Sequence, residues 1–218
     1  MRPDGHTSKK NERSLDQQQV VQAALELLDE VGLDGLTMRG LAKKLDIKAA
    51  SIYWHVRNKE DLLGLLADEI CGPMQEPDRT LPWRQQLEGL GHEYRRILHT
   101  HRDAARVFVD SGSPTGPNRL RLIELLLKTL LDAGFNEKNA AYAGFLLNDY
   151  VIMFVLEENQ DIPDTADDEI DWSAFLDQYP SVIRLFDFLG SPDMDDRFQF
   201  GMDILASGLE TLLNRQEE

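Results

Sequence analysis

Apolar residues recur every three or four positions along most of the chain, and this period predicts an all-α fold. A first helix follows Ser14 and Gln17, which have capping-box spacing, and it ends at Gly32. Glycine, proline, asparagine and aspartate separate the later helical segments, the last of which runs from about residue 193 to 213. The pattern contains no convincing alternation of the kind that marks a strand.

Residues 37–56 predict two short helices joined by a tight turn at Asp46 and Ile47. Thr37 is a good N-cap for the first helix, and residues 48–54 form the second. Small side chains at the leading end of the second helix would allow close approach to a DNA major groove. The layout suits a helix-turn-helix, although any helical hairpin with a charged face would show the same spacing. The predicted buried positions are Leu41, Ala42, Leu45, Ile52 and Val56.

Several polar side chains of this segment could contact DNA. Arg39 is the best base reader, because a guanidinium can bond O6 and N7 of guanine together. The other polar side chains would reach phosphates or base edges. The predicted DNA-contact residues are Thr37, Arg39, Lys48, Ala49, Ala50, Ser51, Tyr53, Trp54, His55 and Lys59.

The domain organisation follows from the helix boundaries. Asn58 caps a fourth helix, which Gly72 and Pro73 end. We predict a disordered basic tail over residues 1–13, a helix-turn-helix domain over 14–60, a connecting helix over 61–72 and a second all-helical domain over 73–218. The basic residues of the tail fit an arm lying along DNA and an inert tail equally well.

Two parts of the chain resemble the TetR family of repressors. The head matches at Val21 to Gly35, at Leu36-Thr37-Met38-Arg39, at Leu41-Ala42 and from Ser51 to Lys59. Thr100 to Val107, Ala133-Gly134-Phe135 and Val155-Leu156-Glu157 resemble the ligand domain of its tetracycline repressor subgroup. The resemblance implies an N-terminal three-helix DNA-binding head and a C-terminal helical domain for ligand binding and dimerisation.

The net charge of −16 is unusual for a DNA-binding protein, but the acidic residues are concentrated outside the head. Residues 1–60 have ten Lys and Arg against nine Asp and Glu, whereas the remaining residues have thirteen against thirty. An acidic body would weaken nonspecific adhesion to nucleic acid, and an acidic proteome explains the same numbers.

Three further features bear on location. Cys71 is the only cysteine, the N-terminus lacks the apolar core of a signal peptide, and no apolar run approaches the roughly 18 residues of a membrane span. We therefore expect a cytoplasmic, nucleoid-associated protein without a membrane partner.

The resemblance also implies a homodimer, paired through the predicted helices 8 and 10 (residues 136–158 and 193–213). Burial of the same residues within one subunit is the alternative. In a two-fold dimer, the heads would read pseudopalindromic half-sites about 34 Å apart, one turn of DNA. Small residues that permit close approach are Ala140, Ala141, Ala143, Gly144, Gly201, Ala206, Ser207 and Gly208, and the expected apolar contacts are Phe198, Met202, Leu205, Leu209 and Leu212.

The family's ligand pocket is altered in this chain. By the resemblance, the magnesium-binding histidine falls at Phe108, and the asparagine and glutamine that hold the drug fall at Leu90 and Leu126. Tyr94 keeps the family's aromatic residue, and Glu157 matches an acid that reaches the metal through water from the other subunit. Because a phenyl ring cannot ligate a hard cation, we predict a fairly apolar or aromatic inducer rather than magnesium-tetracycline.

The predicted ligand-binding residues are Leu90, Tyr94, Phe108, Leu126, Asp149 and Met153, and a filled core without a pocket is the alternative. Asp149 stands out in an otherwise apolar helix. If it is buried, its carboxylate needs a partner, either the ligand or the other subunit.

Metal and enzyme chemistry find little support. His92-Glu93 begins like a zinc-protease motif, but Arg96 occupies the position of the second histidine. His99 and His101 would face different ways on a helix. We expect no metal, cofactor or catalytic site.

We predict a homodimeric repressor that binds operator DNA and is released by a small molecule. The alternative is a ligand-binding or protein-interaction module of the same fold that no longer recognises DNA.

Overall fold

The computed structural model describes residues 16–160, 178–190 and 193–215, which form eleven helices and no strand. The head comprises α1 (Gln17–Gly35), α2 (Met38–Lys44) and α3 (Ala49–Ile52), and α4 (Lys59–Cys71) leads into the second domain. That domain contains α5 (Trp83–Leu98), α6 (Ala104–Asp110), α7 (Pro117–Asp132), α8 (Glu137–Glu158), α9 (Pro180–Arg184), α10 (Phe186–Gly190) and α11 (Met194–Asn214). The predicted tail over residues 1–13 lies outside the described residues, as do residues 161–177 after α8.

Helix α1 begins two residues later than predicted. Asp16 is its N-cap and forms the capping box with Gln19, so the predicted pairing of Ser14 with Gln17 is wrong. Gly32 interrupts the helix at φ 71°, ψ 175°. A side chain there would also meet the Asp103 carboxylate at 2.9 Å, so both the backbone and the space favour glycine.

The head packs on α4. Apolar side chains of α1 and α2 meet Ile52 and Val56, which are buried as predicted. Asn58 accepts a hydrogen bond from the Asp61 N–H at 2.7 Å and begins α4 as predicted. One face of α4 is buried and links the head to α6 and α7. Its buried residues include Leu62, Leu63, Leu66 and Ile70.

In the second domain, α8 lies at the centre and packs against α5, α6, α7 and α11. Its residues alternate between this core and the protein surface, which explains why it is apolar on more than one face. Of the described helices, only α8 is long and apolar enough to span a bilayer, a property it shares with core helices of soluble proteins.

A polar cluster ties the end of α8 to α5 and α11. The Arg95 guanidinium contacts both Glu158 and Asp195, and His99 lies 2.9 Å from Glu158. Burial raises the pKa of the Glu158 carboxyl, but hydrogen bonds from Arg95 and His99 outweigh this and leave its pKa below the ordinary value. The Glu158 side chain is only 9% exposed, so its charge depends on these partners.

The sequence predicts one helix over roughly residues 180–189, where the structure has two short helices, α9 and α10. Leu185 separates them, with its N–H bonded back to Ser181 and Val182. The predicted tenth helix is α11, and Asp193 is its N-cap. The sequence predicts a loop over residues 111–117, and the structure has it over 111–116, because Pro117 is the first residue of α7. The sequence also predicts that Gly134 stops this helix, which agrees with its left-handed backbone at φ 99° after α7.

Candidate functional site

The helix-turn-helix has the expected cap and turn. The Thr37 hydroxyl accepts a hydrogen bond from the Gly40 N–H at 3.0 Å, and Asp46 adopts a left-handed conformation at φ 52° in the turn. The second helix is shorter than the predicted 48–54, because residues after Ile52 tighten into a turn in which the His55 N–H bonds the Ile52 carbonyl. That turn projects the aromatic side chains outward: Trp54 is 88% exposed.

The structure places the predicted DNA-contact residues at the surface of the head. Thr37, Arg39, Lys48, Ala50, Tyr53, Trp54 and Lys59 are exposed, and Ala49, Ser51 and His55 are partly exposed. Within the described ranges, the cationic groups of Arg39 and Lys48 have no protein partner. The Lys59 ammonium instead donates to the Leu33 carbonyl at 3.1 Å, which leaves two of its three hydrogens for another acceptor.

A cavity of about 620 Å³ lies between α5, α6, α7 and α8. Five of the six predicted ligand residues line it: Tyr94, Phe108, Leu126, Asp149 and Met153. Leu90 does not, because it lies one turn before Tyr94 on α5 and is buried in the core. The cavity favours a binding pocket over the alternative that these side chains simply fill the interior.

Polar groups at the cavity are few. The Tyr94 hydroxyl donates to the Asn148 side-chain oxygen at 3.1 Å, and burial raises the pKa of Tyr94 well above its ordinary value. Tyr94 is therefore a neutral phenol. The expectation that Asp149 is buried is wrong for the protomer, since its side chain is exposed at the cavity's edge beside Asn148.

Other lining residues were missed by sequence reasoning. Phe145, Asn148 and Ile152 share the face of α8 that bears Asp149 and Met153, and their helical spacing is a signal that could have identified them. Arg119 and Leu122 of α7 also line the cavity. For Arg119 no local signal exists, because its position depends on how α7 packs against α4.

The first turn of α6 is hydrogen-bonded to the end of α1. Asp103 Oδ2 accepts from the Leu33 N–H at 2.8 Å, so it does not cap its own helix. Asp29 accepts from the Arg102 N–H and lies 2.9 Å from the His101 Nδ1 atom. Because Phe108 of the cavity lies on α6, these contacts connect the cavity to the head.

Arg106 adds an ion pair to this connection. Its guanidinium bonds Asp34 at 2.8 and 3.2 Å and thereby holds the pKa of that carboxyl below its usual value. We refer to the six residues Asp29, Leu33, Asp34, Arg102, Asp103 and Arg106 as the α1–α6 clamp.

Loss of the Asp103 acceptor should destabilise the protein. D103G and D103N both tolerate the left-handed backbone at φ 57°, but only asparagine keeps an oxygen for the Leu33 N–H. We expect D103G to lower the free energy of unfolding by about 1–3 kcal/mol in urea titrations, and D103N by less than half as much. Equal losses in the two variants would show that the hydrogen bond contributes little.

Helices α8 and α11 each expose an apolar face. In α8 this face includes Phe145, 68% exposed, and in α11 it includes Phe200, 67%, and Ile204, 59%.

The contacts predicted for a partner subunit from Phe198, Met202 and Leu209 are wrong, because these residues are buried inside the protomer. They lie on the opposite side of α11 from Phe200 and Ile204, so the prediction chose the wrong face. Ala140, Ala143, Gly144 and Ala206 are likewise buried in the protomer, whereas Ser207 and Gly208 are exposed.

The histidines that suggested a metal have separate partners. His92 bonds Gln199, His99 bonds Glu158 and His101 bonds Asp29. In the described part of the chain, no three His, Cys, Asp or Glu side chains are grouped to hold a metal ion. Glu157 pairs with Arg197 at 2.6 and 2.7 Å. Burial raises the pKa of the Cys71 thiol to about 12, which makes it a poor nucleophile.

The head is a helix-turn-helix with exposed cations that no described residue pairs, and α4 and α6 join it to a domain with an apolar cavity. This arrangement is that of a DNA-binding transcriptional regulator rather than an enzyme. The chain belongs to the tetR family of bacterial regulatory proteins. Residues 20–66 match the model of that family, and residues 76–213 match the tetracyclin repressor-like C-terminal domain. The resemblance noted in the sequence is confirmed, and so is the all-α fold with a helix-turn-helix head.

Similar proteins cover nearly the whole chain. Tetracycline repressor protein class G of Vibrio anguillarum is 36% identical over 91% of this chain and 95% of its own. Apo ActR from Streptomyces coelicolor superposes with a TM-score of 0.82, at 32% identity over 93% of this chain and 98% of its own. ActR has also been solved with actinorhodin. BioQ with its double-stranded DNA operator superposes with a TM-score of 0.68, at 28% identity over 89% of this chain and 98% of that one.

Proposed function

We propose that this regulator is a homodimeric repressor that binds a pseudopalindromic operator and is released by a fairly apolar or aromatic molecule. The observation that supports this best is the link between the two sites. The cavity is lined by α6 and α7, both of which pack on α4, and α4 and the α1–α6 clamp connect these helices to α1 of the head. A molecule in the cavity can therefore bias the position of the head, and by reciprocity operator DNA must weaken ligand binding equally.

The DNA-binding half of the proposal is supported by exposure and charge. Arg39 and Lys48 are exposed, and no described residue neutralises them. We assign Arg39 to a base edge, and Lys48 and Lys59 to phosphates. The solved BioQ–operator complex is a relative of this chain bound to DNA, and it supports the same role here. Nucleoid association follows from this proposal.

The dimer is supported by the apolar faces of α8 and α11. Tyr142, Phe145, Leu146 and Met153 of α8 and Phe200 and Ile204 of α11 are all exposed in the protomer. They recur at helical spacing, and a solvated apolar surface of this kind marks an interaction site. A two-fold pairing of the two helices would bury both faces, place two heads on one DNA face, and cover the exposed Asp149 and Met153 at the edge of the cavity.

The ligand half of the proposal is supported by the cavity lining. The cavity lining includes Tyr94, Phe108 and Leu126, and the ring centroids of Tyr94 and Phe108 are 5.8 Å apart. Aromatic and aliphatic walls suit an apolar ligand with a few polar contacts. The relative ActR has been solved with actinorhodin, and this complex supports a small-molecule ligand for the same fold here.

Magnesium-tetracycline should not bind. The positions that the resemblance assigns to metal and drug contacts are occupied by the phenyl ring of Phe108 and the aliphatic side chain of Leu126, which offer neither a metal ligand nor a hydrogen bond. In calorimetric titrations of the full chain we expect no heat of binding at tetracycline concentrations up to about 100 μM with magnesium in excess. A magnesium-dependent binding isotherm in that range would contradict the proposal. Apo protein titrated with magnesium alone is the control.

A further inference from the structure

The cavity has one cationic side chain on its wall. The Arg119 Nη1 atom donates to the Ser111 hydroxyl at 2.8 Å, and the guanidinium carbon lies 5.1 Å from the centroid of the Phe108 ring. Both partners are neutral. Within the described ranges, the Arg119 guanidinium forms no ion pair, and its side chain is about half-buried.

Other arginines of this domain are paired differently. Arg95 faces Glu158, Arg106 faces Asp34, and Arg197 faces Glu157. A guanidinium beside an apolar cavity loses hydration, and this loss is best offset by an anion with which it forms charge-assisted hydrogen bonds. The protein supplies that anion to Arg95, Arg106 and Arg197 but not to Arg119. Arg79 also has neutral partners, Gln86 and Thr129, but it does not line the cavity.

We propose that the cavity takes a flat, mainly apolar molecule with a carboxylate, and that Arg119 binds this carboxylate. The inference rests on the proposed function, because it specifies the ligand class of the same cavity. Phe108 and Tyr94 provide ring surfaces for the flat part, and Asn148 and the neutral Tyr94 hydroxyl provide hydrogen-bonding groups. Asp149, which also borders the cavity, would repel a carboxylate, so the acid group binds on the α7 side.

Arg119 is also tied to the helix that connects to the head. Its backbone N–H donates to Asp68 Oδ1 of α4 at 2.9 Å, and the neighbouring Asn118 side chain donates to Asp68 Oδ2 at 3.3 Å. A carboxylate bound by Arg119 therefore acts on the end of α7 that is hydrogen-bonded to α4. This gives the charged group of the ligand a direct route to the connecting helix.

Two matched probes test the inference: anthracene-9-carboxylate and anthracene-9-carboxamide, titrated into the full chain and followed by their fluorescence. We expect the carboxylate to bind at least about tenfold more tightly than the neutral amide. R119Q should remove this preference by weakening the carboxylate alone. R121Q is the control, because Arg121 lies two residues away on α7, contacts Met74 and Glu76, and does not line the cavity.

Equal affinity of the wild-type protein for the two probes, a preference that survives R119Q, or binding of neither probe would each overturn the inference. Melting curves of R119Q and R121Q show whether both variants fold. If one of them does not fold, R119K is measured instead. It keeps the charge and should retain part of the preference for the carboxylate. DNA binding by the same preparations is measured separately. A failed inference is therefore distinguishable from a failure of the proposed repressor function.

Discussion

Replacing Ile204 with aspartate (I204D) will separate the two subunits and lower operator affinity by more than about 100-fold. Ile204 is 59% exposed at the middle of the apolar face of α11, so a charge there leaves the protomer core intact. In the paired state the same carboxylate would be buried against an apolar surface without a partner. Two linked heads bind DNA far more tightly than one, because the second contact is made at a high effective concentration.

Analytical ultracentrifugation and fluorescence anisotropy with operator DNA measure these two effects. L120D is the matched control, since Leu120 is a similarly exposed apolar residue that belongs to α7 rather than to α8 or α11 and does not line the cavity. We expect L120D to remain dimeric and to bind the operator normally. A dimeric I204D protein with normal affinity would show that the subunits pair through another surface.

Arg39→Ala should reduce operator affinity by about 10- to 100-fold and relax selectivity at one base pair of each half-site. The Arg39 side chain is exposed beside the Thr37 cap and has no described partner, so its removal costs little in stability. A lost bidentate contact to guanine affects the cognate sequence far more than a random one. Competition binding with a set of single-base operator variants measures both the affinity and the selectivity.

Lys59→Ala is the comparison for Arg39→Ala. Its ammonium is held near the surface by the Leu33 carbonyl, where it can neutralise a phosphate. We expect K59A to weaken binding to all sequences similarly and to reduce the slope of log affinity against log salt by about one. If both variants weakened all sequences alike, the assignment of Arg39 to a base would be wrong.

The helices of this protein were predictable because their signals are local. Thr37, Asn58 and Gly134 mark helix ends with side chains or backbone conformations that act within a few residues. Boundaries failed where neighbouring residues compete. At the start of α1, the pair Asp16 and Gln19 replaced Ser14 and Gln17, which have the same spacing. Residues 53–55 tightened into a turn that helical periodicity could not distinguish from a longer α3.

The site was predictable only in part, because its geometry depends on contacts distant in sequence. The resemblance located Tyr94, Phe108 and Leu126 at the cavity. The hydrogen bond from the Leu33 N–H to Asp103 joins residues 70 positions apart, and no periodicity indicates it. The exposed face of α11 was missed for a related reason. Both of its sides contain apolar residues, and only packing against α5 and α8 decides which side is buried.

Selection of random duplex DNA by the purified full chain, at moderate salt, is the decisive experiment for the proposed repressor function. We predict enrichment of a two-fold symmetric site of about 15 base pairs, with half-sites one helical turn apart. Recovery of that site would also supply the probe for measuring release by ligands. Recovery of no sequence would overturn the proposed function and favour a ligand-binding module that keeps the helix-turn-helix only as a scaffold.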